Sequence, residues 1–260
     1  MRNISAISLA IIFIACLTSS AFAQTTQPFN WSGPYVGGTL SLVKSHATTD
    51  VSTSDSFPGS YFTPPDPEQI ANTAHGNIKQ SRLGLGGFGG VGRQFGKLYL
   101  GLEASISSLR FDGARSSGAI YISNPAGSFN NELSVRANSQ AMLRTRLGWT
   151  HDRWMTYLTG GVAATRITMD ASFSDNFLGA GASGQATSRE TKLGWSMGFG
   201  GEYALSNNWV IRCEYSYVDY GRVNTSAFVT NPAFPALGNN LINSVDLNAQ
   251  IFSVGISYRF

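Results

Sequence analysis

Seven charged residues stand at alternating positions in stretches that are otherwise small or apolar: Glu103, Arg144, Arg146, Glu202, Arg212, Glu214 and Arg259. Three are acids and four are bases, so their natural chemistry is mutual pairing. Other residue types invite catalytic readings. Gly84-Leu85-Gly86-Gly87-Phe88-Gly89 fits G-x-G-x-x-G, but a dinucleotide fingerprint needs a strand before it and a helix after it. Here the glycines lie within one extended stretch. Gly194-Trp195-Ser196-Met197-Gly198 fits G-x-S-x-G, but a nucleophile elbow is a strand-to-helix turn with a histidine and an acid in reach, and Ser196 sits mid-strand. His46 and His75 belong to one polar segment and His151 to a short turn. They meet in a haem or metal site only if that segment folds back. No cofactor is expected. Cys213 is the only cysteine after the leader, which excludes an intrachain disulfide. On a lipid-facing row it acts as a small hydrophobe.

The elements that position the seven charges are strands. Period-2 alternation puts successive side chains on opposite faces. The last strand is the clearest: Phe252, Val254, Ile256, Tyr258 and Phe260 alternate with Ser253, Gly255, Ser257 and Arg259. The same pattern predicts seven earlier strands, at about 35–44, 82–95, 98–111, 140–151, 154–168, 192–205 and 209–217. Short turns at 96–97, 152–153 and 206–208 separate three pairs. Long polar segments at 45–80, 112–139, 169–191 and 220–245 join the rest, and these read as four long extracellular loops. Strands of about 9–11 tilted residues cross a bilayer, and alternating short turns and long loops are the organisation of an outer-membrane barrel.

The N-terminus sets the compartment. One positive charge, a short apolar run and Ala21-Phe22-Ala23 make a secretory leader, residues 1–23, cleaved before Gln24. Residues 24–32 form a periplasmic leader, and 33–260 form the barrel domain. The chain has 18 basic residues, and losing Arg2 with the leader leaves 17 against 15 acidic, a net charge of +2. No nucleic-acid partner follows from that balance. Charged residues are 13%, about half the globular norm.

A soluble barrel would put apolar residues inside around a ligand. Charge argues for the reverse: the apolar row of every strand carries none of the seven charges. Facing lipid, each basic group would cost about 2–4 kcal/mol at mid-depth. Facing inward, the seven can neutralise one another. Aromatics point the same way. Trp31, Tyr35, Phe95, Trp149, Trp154, Tyr203 and Trp209 lie near the N-terminus or the short turns, where a periplasmic interfacial girdle is expected. Phe111, Tyr217 and Tyr220 suggest a sparser ring at the other end. An eight-stranded barrel is narrow enough for side chains to fill. The charges, with Phe88, Tyr99 and Tyr157, are expected to leave no open pore.

Asn30-Trp31-Ser32-Gly33-Pro34-Tyr35-Val36-Gly37-Gly38, Thr159-Gly160-Gly161-Val162-Ala163, Arg212-Cys213-Glu214-Tyr215-Ser216-Tyr217 and Val254-Gly255-Ile256-Ser257-Tyr258-Arg259-Phe260 carry a resemblance over essentially the whole mature chain. The chain resembles the small eight-stranded outer-membrane proteins of the opacity and surface-antigen (outer membrane immunogenic protein) type, akin to the OmpA transmembrane domain. Pro34 departs from the Phe or Tyr usual there. The resemblance implies insertion by the barrel assembly machinery, which reads a terminal aromatic strand such as Phe252, Val254, Ile256, Tyr258 and Phe260. It also implies contact with outer-membrane lipid and lipopolysaccharide, and a role as surface antigen, adhesin or envelope-stabilising protein.

The expected function is a non-enzymatic surface protein whose loops meet host or environmental ligands. Phe57, Tyr61, Phe62, Tyr121, Phe177, Phe228 and Phe234 are either exposed anchors for such ligands or a cluster packed over the barrel rim. The alternatives are a membrane-embedded lipid-modifying enzyme, a small channel and a haemin-binding barrel.

Overall fold

The structure is a computed structural model that describes residues 29–55, 59–177, 179 and 181–260. The expected leader, 1–23, and Phe57 lie outside the described residues. The strands are β1 (Gly33–Asp55), β2 (Gly76–Phe95), β3 (Leu98–Ile120), β4 (Ser128–His151), β5 (Trp154–Asp175), β6 (Ser183–Ala204), β7 (Trp209–Asn231) and β8 (Phe234–Arg259). One helix among the described residues, α1 (Asp66–Ala74), lies between β1 and β2. All neighbours are antiparallel, and β1 pairs with β8 to close an eight-stranded barrel. Near the short turns closure leaves no free sheet edge, which is what lipid requires of a spanning sheet. No described helix is long and apolar enough to cross a membrane.

The short turns fall at 96–97 and 152–153, as the alternation predicts, and at 205–208, one residue longer than the 206–208 expected. The opposite connections differ from expectation. The strands run 20 to 26 residues, roughly twice the length needed to span. Most of the segments expected to be loops are strand. Among the described residues, what remains outside the strands on this side are 59–75, 121–127, 176–177, 179, 181–182 and 232–233. Polarity misled here, because those segments keep the period-2 pattern while exchanging which face is polar.

β8 shows the exchange along one uninterrupted strand. From its C-terminal end, Arg259, Ser257, Gly255 and Ser253 face inward, while Tyr258, Ile256, Val254 and Phe252 face outward. Beyond residue 252, Ile251, Ala249, Leu247 and Val245 are buried inside, and Gln250, Asn248, Asp246 and Ser244 lie outside. β1 changes over between Leu42 and Lys44 in the same way. The barrel is thus two stacked segments. The segment nearer the short turns has a polar interior and an apolar exterior belt. The far segment has an apolar interior built from Val43, Ala47, Leu109, Phe111, Leu133, Val135, Ile167, Met169, Tyr220 and others. β4 and β7 make the change through register shifts at Ala137/Gln140 and Asp219/Arg222. An extra residue in a bulge moves every following side chain to the other face.

Two seams of the far segment are open. β2 pairs with β3 only from Gly86↔Ser107 to Phe95↔Leu98. β6 and β7 are unpaired between Ser183↔Thr230 and Trp195↔Asp219. At the first seam side chains replace the ladder. The Gln80 amide bonds to both the carbonyl and the N–H of Asp112, and Ser108 Oγ bonds to the N–H and carbonyl of Leu85.

Candidate functional site

The belt segment directs charged residues from five strands to one level of the lumen, where every one of the seven charges chosen from the sequence is buried. Glu103 on β3 sits centrally. It accepts from Arg144 (2.8 Å) and Arg212 (2.9 and 3.3 Å), with Arg146 at 3.4 Å. Glu214 takes the second arm of Arg144 (2.6 Å) and one from Arg212 (2.7 Å). Glu202 pairs with Arg146 (2.6 Å) and stands 3.8 Å from both Arg212 and Arg259. Two tyrosines knit the layer: Tyr35 donates to Glu103 (3.0 Å), and Tyr157 donates to Glu214 (2.9 Å). Guanidinium faces stack on rings, Arg146 over Tyr157 at 3.9 Å and Arg212 over Phe88 at 4.0 Å.

Arg144 and Arg146 share the layer because they are two apart on one strand, as Arg212 and Glu214 are. Glycines opposite them leave the room. An added Cβ at Gly200 would lie 2.5 Å from the Tyr157 hydroxyl, and one at Gly90 would lie 2.5 Å from the Tyr35 hydroxyl. Above the layer a cavity of about 30 Å3, lined by Thr39, Ser41, Ser105, Ser107, Ser216 and Ser253 among others, separates charges from apolar core. That is room for one or two waters. The lumen is closed by the charged layer, the apolar core and the cap.

Two residues expected in the periplasmic girdle are inside instead. Tyr35 shares its inward face with Thr39 and Ser41, and its ring lies under Arg259 at 4.7 Å. Trp31 is fully buried, packed on Phe29 (4.7 Å) and beneath Arg259 (5.4 Å), and its carbonyl accepts from Arg259. The segment before β1 therefore turns back into the barrel mouth and plugs it, which is why an N-terminal Trp escapes the interface. The parity of Tyr35 was a signal available in the sequence, whereas the inward turn of Trp31 had none. Phe95, Trp149, Trp154 and Trp209 are exposed on the outer wall. Tyr203 pairs there with Trp154 at 4.6 Å, and Tyr258 with Trp209 at 5.3 Å. The C-terminal row Phe252, Val254, Ile256, Tyr258 and Phe260 lies on the same outer wall. Phe111 and Tyr220, expected near the outer interface, belong to the interior core.

At the far end a cap closes the barrel. Tyr61, Phe62, Tyr121 and Phe177 pack over the rim with Phe129, Phe173 and Ile70 of α1. Of the loop aromatics, Phe228 and Phe234 are exposed. Asp175 organises the cap, accepting from Tyr61 (3.0 Å), Tyr121 (2.9 Å), the Phe177 N–H (3.2 Å) and the Ala182 N–H (2.6 Å). Burial pushes the Tyr61 hydroxyl up to about 12, Asp175 adding to it and Asn231 opposing. Burial and then Asp175 hold Tyr121 well above the ordinary tyrosine range.

The histidines stand apart. His46 contacts Asn77 (3.0 Å), His75 contacts Asp50 (2.7 Å), and His151 lies 3.5 Å from Asp152 at a short turn. Among the described residues no three metal-ligating side chains gather. Ser196 donates to the Gly161 carbonyl at 3.5 Å, with no histidine among its partners.

The chain is similar to several known outer-membrane proteins. The 31 kDa outer-membrane immunogenic protein of Brucella melitensis is 28% identical over the full length of both chains. The 25 kDa outer-membrane immunogenic protein of the same organism is 30% identical over 49% of each chain. Among solved structures, Ail, the attachment invasion locus protein of Yersinia pestis, aligns over 86% of this chain and 99% of its own, with 12% identity and a TM-score of 0.34. Neisserial surface protein A aligns over 86% and 97%, with 16% identity and a TM-score of 0.31. The pattern of the outer membrane protein beta-barrel domain matches residues 9–260. With a closed eight-stranded barrel, an apolar outer belt and a match across nearly its whole length, the chain belongs to the outer membrane protein beta-barrel domain family of Gram-negative surface proteins.

Proposed function

We propose that this outer-membrane protein is a non-enzymatic surface-display barrel. Its belt segment is an inert anchor, and its far segment and cap are the part offered to partners outside the cell. The observation that carries the reading is the exchange of interior and exterior polarity at one level of the barrel. Below it the outer wall suits lipid; above it the outer wall suits water while the interior is a packed apolar core. A channel needs a continuous wet lumen, and here a guanidinium–carboxylate layer fills it. A lipid-modifying enzyme needs a nucleophile and base near the outer leaflet, and among the described residues the imidazoles at that height, His46 and His75, hydrogen-bond to Asn77 and Asp50. Adhesion or antigen display would use the polar outer wall and the exposed Phe228 and Phe234, since the other described cap aromatics are consumed in packing.

Single cysteines placed in a Cys213→Ser background test the arrangement. Ser116→Cys, on the outer wall of the far segment, should react with a membrane-impermeant maleimide in intact cells. Ser206→Cys, at a short turn, should react only after the outer membrane is opened. Labelling of Ser206→Cys in intact cells would reverse the orientation, and steady ion conductance of the purified barrel in planar bilayers would overturn the anchor reading.

A further inference from the structure

Where the outer wall changes from apolar to polar, cations gather on β1, β2 and β3. Lys44 follows Leu42 on the outer face of β1. It faces Ser81, and Lys79 lies opposite His46, so Lys44 and Lys79 are diagonal neighbours on one face. Arg110 on β3 reaches back to the Leu83 carbonyl (3.5 Å), beside the Leu42↔Leu83 pair that ends the belt. Arg82 shares the inward parity of Val43 but is exposed. It stands in the stretch of β2 that the open seam leaves unpaired with β3.

Two further features set this group apart. First, none of the four has an ion-pair partner among the described residues. Three other cations of the far segment are matched, Arg136 with Asp112 and Asp170, Arg222 with Asp246 and Asp50, and Lys192 with Glu190, while Arg115 is taken up by the His75 carbonyl. Arg166 and Arg189 are also unmatched, but they share the outer wall with Asp170. The acid nearest in sequence to Arg110, Asp112, already faces Arg136 at 3.6 Å. Second, Arg110 has φ +51, a left-handed conformation that residues other than glycine rarely adopt. It lies in the register shift between Ser108 and Phe111, and bulges of this kind re-aim a side chain.

Unmatched cations at the upper edge of a lipid belt meet the headgroups of the outer leaflet. We infer that Lys44, Lys79, Arg82 and Arg110 form a docking site for the phosphate groups of a phosphorylated outer-leaflet glycolipid. Its acyl chains lie along Leu42, Leu83 and Leu85 below, and its phosphates lie against the cations. Arginine forks and lysine ammonium groups suit phosphate oxygens, and each cation near an anionic surface adds attraction that salt weakens. The inference rests on the outer belt lying in the membrane.

The test uses the folded full-length mature barrel in phosphatidylcholine vesicles, titrated with bisphosphorylated lipid A, with the same lipid stripped of phosphate, and with inorganic phosphate. The variants are Lys44→Gln/Arg82→Gln/Arg110→Gln and a control, Lys97→Gln/Arg153→Gln, with cations removed from the opposite rim. The parent and the control should bind bisphosphorylated lipid A alike. The triple variant should bind it about tenfold more weakly or worse, while the stripped lipid should not distinguish the three. Arg110→Gly, which suits the left-handed backbone, should fold normally and still lose affinity. Parent-like affinity in the triple variant, or equal binding of stripped lipid by the parent, overturns the site. Displacement of lipid A by inorganic phosphate alone overturns the lipid as its source. Heat-modifiable gel mobility reads the fold in parallel. A parent that fails to enter vesicles sinks the membrane placement together with the site, whereas normal insertion with unchanged affinity sinks only the site.

Discussion

Removing one charge from the centre of the lumen should destabilise the barrel far more than removing a comparable surface charge. Glu103→Gln keeps the shape and deletes the charge that Arg144, Arg146 and Arg212 share. The seven-residue layer then moves from one excess cation to two. Breaking a buried pair costs about 3–5 kcal/mol because it strands the partner charge. Here no guanidinium is wholly stranded: Arg144 and Arg212 keep Glu214 at 2.6 and 2.7 Å, and Arg146 keeps Glu202 at 2.6 Å. The expected loss therefore sits at the lower edge, about 3 kcal/mol, or roughly a hundredfold in the folding equilibrium. Arg144→Gln leaves Glu103 and Glu214 both held by Arg212 and should cost less. The double variant should cost less than the sum, with an interaction of at least about 1 kcal/mol. Asp50→Asn breaks an exposed pair with His75 and should cost less than about 1 kcal/mol. Reversible urea unfolding in lipid vesicles, followed by tryptophan fluorescence and by gel mobility, measures all four. A loss below about 0.5 kcal/mol for Glu103→Gln would refute the layer as a stabilising element.

Four other outcomes follow from the same geometry. Trp31→Ala empties the periplasmic plug and should cost about 3–5 kcal/mol, measured in the same unfolding assay. Asp175→Ala removes the acceptor of four hydrogen bonds in the cap; it should expose the segment 176–182 to protease while leaving the unfolding midpoint of the barrel nearly unchanged. Alkali should loosen the cap. The Tyr61 hydroxyl rises from 10.0 to about 12 on folding, so its contribution is whole below pH 10 and lost as pH climbs to about 12, which tyrosinate absorbance and amide exchange of residues 59–63 would record. Deleting Phe260, which is 71% exposed and touches Tyr258 at 5.1 Å, should lower insertion in cells far more than it lowers stability in vesicles; normal insertion yield would exclude an assembly signal at that residue.

The anchor was legible in the sequence because lipid imposes a rule with no exceptions on its outer face. Leu98, Leu100, Leu102 and Ile106 can only be read one way when Tyr99, Glu103 and Ser105 alternate with them. The far segment was not legible. Leu109, Phe111 and Gly113 continue the inward row of Tyr99 and Glu103, but their outward neighbours Arg110 and Asp112 look like loop residues when averaged. Bulges deepened the difficulty. Residue 137 faces inward and so does residue 140, so no single parity fits β4. The cap aromatics were ambiguous for another reason: sequence lists Tyr61, Phe62, Tyr121 and Phe177 but cannot say that α1 brings Ile70 down among them.

The two segments show why the polarity must exchange where it does. In the membrane the outer wall gains nothing from hiding apolar groups inside, because lipid is as apolar as any core. A lumen there is held by pairing, and the low dielectric that makes an unpaired charge costly makes a satisfied network rigid. Above the membrane, water returns and burying apolar surface becomes favourable again, at about 25 cal/mol per Å2. Val43, Ala47, Leu247 and Ala249 then hold the walls together where Glu103 and Arg144 do so below. Each half uses the driving force its surroundings leave available. The open β2–β3 seam fits the same logic: above the belt, in water, the Gln80 amide stands in for a ladder, and at the belt's upper edge Ser108 Oγ satisfies both backbone groups of Leu85, because lipid offers no water to take them. The ladder resumes at Gly86↔Ser107, within the apolar outer wall that Leu83, Leu85 and Ile106 form.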